Sequence, residues 1–102
     1  MRTLRRTNEF DEFYNSVGQK VQEKIDYALS LMSQIKKLEG TDFYEMRISV
    51  GNEYRVILFT IDSESFIEAD EVLLLNGFMK KSTKDYMAQI QIAENILSEL
   101  AK

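Results

Sequence analysis

The apolar positions of this chain follow a helical period at both ends and a strand period between them. From residue 21 to residue 35 they recur three or four residues apart, which predicts an amphipathic helix. Residues 43–50 alternate between apolar and polar, as in a half-buried strand. A helical stripe returns near the C-terminus and consists of Met87, Ile90, Ala93, Leu97 and Leu100. The pattern therefore predicts an α+β fold.

Local signals place the ends of the first elements. Residues 2–6 suit an edge strand, and Thr7 or Asn8 is a suitable N-cap for a short helix that begins near Glu9. Gly18 separates this helix from the second one. We expect the second helix to end at Gly40, because basic residues followed by glycine are typical of a helix C-terminus.

Three strands and a last helix are expected in the second half. The strands cover residues 43–50, 54–61 and 72–78, with turns at 51–52 and 62–65, and residues 66–67 could extend the third strand. Ser82 and Asp85 resemble a capping box that opens the last helix. With 102 residues, the chain is long enough for one core, so residues 1–102 are expected to form a single domain.

The hairpin register decides where two arginines lie. A two-residue loop would place Arg55 opposite Ile48 and bury its charge in the apolar face. One more loop residue, or a bulge, pairs Arg47 with Arg55 and leaves one continuous apolar face. We expect this second register, in which a bound anion, or Glu45 and Glu53, would relieve the repulsion between the two cations.

Composition removes several classes of function. Thirteen Lys plus Arg against 17 Asp plus Glu give a net charge of -4, which argues against nucleic-acid binding by overall charge. The chain has no cysteine and no histidine, so disulfides, thiolate metal sites and the usual zinc ligand are excluded. The acidic stretch at 62–71 lacks the spacing of a calcium loop. We expect no metal and no cofactor.

The same composition bears on location. The basic N-terminus is not followed by the apolar segment of a signal peptide, and no run approaches the length of a membrane span. We therefore expect a cytoplasmic protein.

Cations stand beside the strands in the second half of the chain. These cations and a nearby tyrosine would converge if the third strand pairs with the second and the last helix starts beside their ends. The candidate site residues are Arg47, Arg55, Lys80, Lys81 and Tyr86, with Glu45 on the same strand face. Guanidinium and ammonium groups suit a phosphodiester, and a tyrosine can stack on a base or transfer a proton. Alternatively, Arg47 pairs with Glu45 or Glu53, the lysines are solvated and Tyr86 covers the core edge.

The sequence does not decide the roles of two further groups of residues. The aromatic residues of the first third suit a core or a partner groove better than base stacking, and they are Phe10, Phe13, Tyr14 and Tyr27. Arg2, Arg5 and Arg6 could touch a phosphate backbone or, as exposed charges on an edge strand, deter aggregation.

Four segments at characteristic separations resemble the HigB-like branch of the RelE/ParE toxin superfamily. The likeness runs from about Lys36 to the C-terminus and rests on residues 36–40 (KKLEG), 43–47 (FYEMR), 54–56 (YRV) and 77–84 (GFMKKSTK). That family folds as a small antiparallel sheet packed against an N-terminal helical hairpin, with a C-terminal helix. This fold agrees with the layout expected from the pattern.

The resemblance implies a type II toxin of a bacterial toxin-antitoxin system. Such a toxin cleaves messenger RNA in the ribosomal A site and is held inactive by an antitoxin, commonly one with a helix-turn-helix domain. By motif, the cations that contact RNA or act in catalysis would be Arg47, Arg55, Lys80 and Lys81, with Lys84 as a further RNA contact. Tyr86 would be the general acid or a stacking residue, and Glu45 or a lysine the base. The acidic net charge departs from the basic charge common in ribosome-binding toxins.

A non-enzymatic protein is the competing hypothesis. It would be either a ParE-like inhibitor of DNA gyrase or a degenerate homologue that only pairs with its antitoxin. Arg47 and the Lys80-Lys81 pair favour the nuclease.

Overall fold

A computed structural model describes residues 2–32 and 34–102. Met1 and Ser33, which fall within the expected single domain, lie outside the described residues. The described elements are, in chain order, β1 (Thr3–Arg6), α1 (Asn8–Ser16), α2 (Gln19–Leu31), β2 (Ile35–Lys37), β3 (Tyr44–Val50), β4 (Asn52–Thr60), β5 (Glu71–Met79) and α3 (Lys84–Leu100).

The five strands form one sheet in the order β1-β5-β4-β3-β2. Neighbouring strands are antiparallel except β1 and β5, which are parallel. One face carries α1 and α2 over a core that contains Phe10, Ile25 and Met46. The other face carries α3 over a smaller core that contains Ile57 and Leu75. The α+β class and the arrangement of helical hairpin, sheet and last helix are confirmed.

The hairpin adopts the expected second register. Arg47 pairs with Arg55, and Gly51 takes up the tight turn with a φ of 71°, in the left-handed region that glycine enters without steric cost. The apolar residues expected on one continuous face pack toward α1 and α2, and they are Tyr44, Met46, Ile48, Val50, Tyr54, Val56 and Leu58. Both arginines therefore lie on the α3 side of the sheet.

The expected extension of the second helix to Gly40 is wrong. The helix ends at Leu31, Met32 is left-handed with a φ of 49°, and residues 35–37 form a strand on β3. The apolar spacing fits a helix as far as Ile35, but pairing with Met46 satisfies backbone groups that a longer helix would leave beside an open sheet edge.

The predicted N-cap of α1 is confirmed, whereas the predicted strand extension before β5 is wrong. Thr7 is confirmed as the N-cap of α1, since its Oγ1 accepts a hydrogen bond from Phe10 N. Phe66 and Ile67 do not extend the third strand, because Phe66 packs on Tyr44 at 5.1 Å between ring centroids and Arg2 donates to both carbonyl groups.

The last helix begins one residue later than its capping signal suggests. Its N-cap is Thr83, and the Asp85 carboxylate accepts from Ser82 N, which is one half of a capping box. The apolar stripe is only partly correct. Ala93 is buried, as expected, but Met87 is 78% exposed, and Ile96 is buried although it was not in the stripe. No described helix is both long and apolar enough to cross a membrane.

The aromatic and arginine side chains of the N-terminal third lie in different environments. Phe10 belongs to the core and Phe13 and Tyr14 pack against it, whereas Tyr27 is exposed. Arg5 pairs with Glu71 at 2.7 Å. A second set of contacts holds Arg6, which pairs with Asp11 and lies over the rings of Phe10 and Tyr14.

Candidate functional site

The two paired arginines differ in their access to solvent. The side chain of Arg47 is 47% exposed, whereas that of Arg55 is 5% exposed. Arg47 lies on the strand nearer the sheet edge, while Arg55 lies on β4 between β3 and β5 and beneath Tyr86 of α3. A substrate on this face would therefore meet the guanidinium of Arg47 first.

Carboxylates accompany both arginines. Arg47 Nε donates to Glu45 Oε1 at 3.0 Å, and Arg55 Nη1 donates to Glu53 Oε1 at 3.3 Å. The side chain of Glu45 is only 3% exposed, and its Oε2 lies 3.9 Å from Arg55 Nε with no hydrogen-bond partner among the described residues. The repulsion between the arginines is thus relieved by Glu45 and Glu53, one of the two expected ways.

Tyr86 joins the last helix to this charged group. Its hydroxyl oxygen accepts a hydrogen bond of 2.8 Å from Arg55 Nε, and its ring stands nearly perpendicular to Phe78 at 5.6 Å between centroids. Burial raises the pKa of the phenol, and the neighbouring Glu45 carboxylate raises it further. Tyr86 therefore stays protonated near neutral pH, with a hydrogen to donate.

The lysines spread outward from the cluster. Lys80 Nζ lies 5.5 Å from the centroid of the Tyr86 ring, and its backbone N–H donates to Glu53 O at 2.8 Å. Lys81 and Lys84 are exposed at the start of α3. The backbone N–H of Lys81 donates to the Asp85 carboxylate at 2.6 Å, which fixes the approach to the helix.

The structure brings most of the expected residues together. They are Glu45, Arg47, Arg55, Lys80 and Tyr86, and below they are called the arginine cluster. Lys81 and Lys84 are near it in sequence but make no described side-chain contact with it. The structural alternative is also partly realised, since Arg47 pairs with Glu45, Lys81 is solvated and Tyr86 packs on the core edge at Phe78.

Sequence reasoning gave Phe78 no place in the site and expected Glu53 only as a partner for the paired arginines. Phe78 supports the Tyr86 ring, and Glu53 holds Arg55 from the exposed side. The strand alternation that placed Arg47 and Arg55 on one face also places Glu53 there, so its place was available from the pattern. The place of Phe78 depends on how α3 crosses β5, which the pattern does not give.

The cluster offers phosphate contacts and a proton donor. Arg47 presents charge toward solvent, Lys80 places its ammonium near the Tyr86 ring, and Tyr86 carries a phenolic proton. Glu45 is too enclosed to touch a substrate directly. Among residues 2–32 and 34–102, no group of three acidic, histidine or cysteine side chains is arranged to hold a metal.

The sequence matches a family model over most of its length. Residues 8–98 match the family described as phage-derived protein Gp49-like. The chain belongs to this family. A comparison with curated protein sequences gives no match.

The fold is similar to that of the E. coli toxin RelE. The match to the intact E. coli RelBE toxin-antitoxin complex has a TM-score of 0.63 at 20% identity and covers 80% of this chain and 100% of the other. A free RelE mutant with two arginines changed to alanine gives 0.65 at 21% identity, covering 88% and 95%. Isolated RelE gives 0.64 at 18%, covering 89% and 97%. This chain therefore has a RelE-like fold.

Proposed function

We propose that this protein is the toxin of a type II toxin-antitoxin system and cleaves messenger RNA on the ribosome. The observation that carries the proposal is the arginine cluster, in which the half-exposed Arg47, the partly buried Lys80 and the buried Arg55 lie around a protonated phenol on a RelE-like fold. Such a set can hold a bent phosphodiester and supply a proton without metal or histidine.

Each member of the cluster has a distinct role in this proposal. Arg47 and Lys80 bind the non-bridging phosphate oxygens, because Arg47 is half exposed and Lys80 Nζ lies beside the Tyr86 ring. Glu45 orients Arg47 through its Nε hydrogen bond. Arg55 is too enclosed for the same task and instead fixes the Tyr86 hydroxyl. Lys81 and Lys84 attract more distant phosphates of the RNA.

The chemistry is transfer of a phosphoryl group within the RNA. The ribose 2′-oxygen attacks the adjacent phosphorus and its proton passes to solvent water, while the bond from phosphorus to the 5′-oxygen breaks. Tyr86 gives its proton to the departing 5′-oxygen, leaving a 2′,3′-cyclic phosphate. Arg55 Nε, at 2.8 Å, then stabilises the phenolate until solvent protonates it again.

The proposed partners are an antitoxin protein, the ribosome and messenger RNA. One matched structure is a toxin-antitoxin complex, and we extend to this chain an antitoxin protein partner, expected to carry a helix-turn-helix domain. The ribosome supplies the messenger RNA, which places the activity in the cytoplasm. The net charge of -4 requires that RNA contact be local to the exposed lysines and Arg47.

A non-enzymatic protein is the second candidate, and one observation favours it. Both arginines already have carboxylate partners, as they would in a protein whose cluster serves folding or antitoxin pairing alone. In that case any growth arrest would occur without RNA cleavage. The Arg47 ion pair is half exposed, so an RNA phosphate can compete with Glu45 for it.

Controlled expression in bacteria, followed by sequencing of transcript ends, tests the proposal. We expect growth arrest and cleavage within codons of translated messages. Arg47→Ala, Lys80→Ala and Tyr86→Phe should each reduce cleavage at least ~10-fold, since each removes a phosphate contact or the acid. Lys20→Ala, on α2, is the matched control for loss of a surface cation. Full toxicity in all three variants would contradict the assignment.

Arg55→Ala is a poorer test of catalysis than these variants. Arg55 is buried against Glu45 and Tyr86, so its loss would disturb folding as well as the reaction. Each tested variant should therefore first be shown to fold, by circular dichroism and denaturation. Growth arrest without any new transcript ends would favour the non-enzymatic candidate.

A further inference from the structure

Half of the β5 edge has no neighbouring strand. The β1 pairing covers residues 71–74 of β5. Thr7 then ends this covered part, because its N–H donates to Leu74 O at 3.2 Å and its hydroxyl donates to Leu75 O. From Asn76 to Met79, no described strand lies on that side of β5.

The β4 pairing fixes which backbone groups face the open edge. Lys80 N donates to Glu53 O at 2.8 Å, so this pair is hydrogen-bonded. Hydrogen-bonded pairs alternate along an antiparallel ladder, which turns Phe78 toward β4 and directs the N–H and C=O of Gly77 and Met79 away from it. These four groups can accept another strand.

The open edge lies in an acidic cleft between α1 and α3. The cleft has a volume of about 630 Å³, and its lining includes Glu9 and Glu12 from α1 and Ile92 from α3. No lysine or arginine lines it. Phe13 and Val17 supply further apolar wall. An occupant with a basic group and apolar neighbours would match this lining.

Asn76 lies beside the cleft and has an enclosed side-chain oxygen without a hydrogen-bond partner among the described residues. Its Nδ2 donates to the Gln89 carbonyl oxygen at 3.2 Å and to Gln89 Oε1 at 2.9 Å. A backbone carbonyl can only accept, so the amide nitrogen must face Gln89 and the oxygen must point elsewhere. That oxygen has no partner among the described residues, although Asn76 is almost fully buried. The atom is itself enclosed, so an occupant of the cleft would be held by the open backbone groups and the acidic lining alone.

The opposite edge of the sheet is protected and this one is not. The edge strand β2 carries Lys36 and Lys37 with exposed side chains, which deter strand addition. Residues 76–79 of β5 carry no charge. An uncharged open edge beside a cleft is the arrangement that accepts an added strand.

We propose that the Asn76–Met79 edge binds an extended basic segment of a partner protein. The segment adds a strand to β5 through Gly77 and Met79, and it places an arginine or lysine between Glu9 and Glu12. This interaction does not depend on the proposed nuclease, and it uses none of the side chains of the arginine cluster.

The test uses the full chain labelled with nitrogen-15 and two capped five-residue peptides. One peptide has the sequence valine-arginine-valine-threonine-valine, and the other has glutamate in place of arginine. We expect the first peptide to shift the amide signals of Gly77 and Met79 and to bind at least ~10-fold more tightly than the second. Equal binding of both peptides, or no shift at these amides, would overturn the proposal.

Substitutions at Met79 and Glu12 distinguish strand addition from nonspecific binding. Met79→Pro removes an outward N–H while leaving the β4 hydrogen bonds, a position where an edge strand tolerates proline. It should abolish binding, whereas Met79→Val should retain it. Glu12→Lys should weaken the arginine peptide at least ~3-fold and Glu12→Gln less. Unchanged binding by Met79→Pro, or concentration-dependent shifts without peptide from self-association, would show that the inference is wrong.

Discussion

Arg47 and Arg55 lie directly opposite each other in the β3–β4 pairing, yet only Arg47 is accessible to solvent. The difference comes from α3, which covers Arg55 through Tyr86 and leaves Arg47 open. Glu45 lies between the two guanidinium groups, bonded to one and 3.9 Å from the other. The same buried carboxylate therefore stabilises two cations that would otherwise repel.

This relationship predicts unequal costs for removing the two arginines. Arg47→Ala removes the hydrogen bond to the enclosed Glu45 carboxylate and should lower the free energy of unfolding by about 1–3 kcal/mol. Arg55→Ala removes a buried cation from beside Glu45, leaves the Tyr86 hydroxyl without its donor and should cost about 3–5 kcal/mol. Urea denaturation of both variants measures the difference. Equal costs would show that the Glu45 charge is compensated in another way.

Strand alternation in the sequence was sufficient to predict the arginine pairing. The register followed from keeping Met46, Ile48 and Val56 on one face, because any odd shift would bury a charge. The approach of Tyr86 to Arg55 depends on how a separate helix packs across the sheet. Residues 31 apart in sequence meet there, and local spacing carries no signal for such a contact.

The error at the end of α2 has a related cause. Ile35 continues the helical spacing of Val21 and Ile25, so local pattern favours helix. The structure uses Ile35 in a strand because β3 offers a partner edge, and this tertiary pairing outweighs a small propensity difference. Ile35 and Met46 are far enough apart in sequence that a local pattern of apolar residues does not indicate their pairing.

A second prediction concerns the Tyr86 hydroxyl. Tyr86→Phe keeps the ring on Phe78 but leaves Arg55 Nε without its acceptor, so we expect a loss of about 1–2 kcal/mol in the free energy of unfolding. Tyr14→Phe is the control, since its hydroxyl bonds to Asp26 at an exposed site. A smaller loss for Tyr86→Phe than for Tyr14→Phe would contradict the enclosed hydrogen bond.

Alkaline pH should destabilise the protein through the same phenol. Burial and Glu45 raise the pKa of Tyr86 in the folded state, so the folded chain holds this proton more tightly than the unfolded chain. The stability it contributes is present below about pH 10, the usual tyrosine pKa, and falls as pH rises above it. Denaturation between about pH 9 and 11 should show a shallower decline for Tyr86→Phe than for the wild type.

Tyr14 requires its own comparison in that experiment. Its hydrogen bond to Asp26 also raises the pKa of Tyr14, so it adds to the decline in the same range. Tyr14→Phe should remove that share, and the double variant should be the least sensitive to pH. A decline that neither substitution reduces would mean that other groups, such as lysines, control alkaline unfolding.

Close packing at Gly77 predicts that a larger residue there will destabilise the protein. A Cβ at this position would lie 2.3 Å from a ring carbon of Phe13, far inside contact distance. Gly77→Ala should therefore cost about 1–3 kcal/mol. Adding Phe13→Leu should recover part of that loss. The control is Gly18→Ala, where a Cβ meets nothing within 4 Å. Similar costs at Gly77 and Gly18 would place the Phe13 ring elsewhere.

The start of α3 should respond to acid through Asp85. Its carboxylate accepts from Lys81 N at 2.6 Å and from Ser82 N at 2.8 Å, and these backbone donors hold the pKa of Asp85 below its usual value. The stability it contributes is therefore present above about pH 4, the usual aspartate pKa, and is lost as pH falls through the lower folded-state pKa.

Asp85→Asn should therefore reduce stability at pH 7 and flatten the dependence on pH below 4. Denaturation from about pH 2 to 7 measures both effects. Asp42→Asn is the control, because its exposed carboxylate makes no hydrogen bond among the described residues. Since Tyr86 follows Asp85 directly, release of this turn should also weaken the hydrogen bond between Tyr86 and Arg55. If Asp42→Asn and Asp85→Asn gave the same acid profile, Asp85 would not be what fixes the approach to α3.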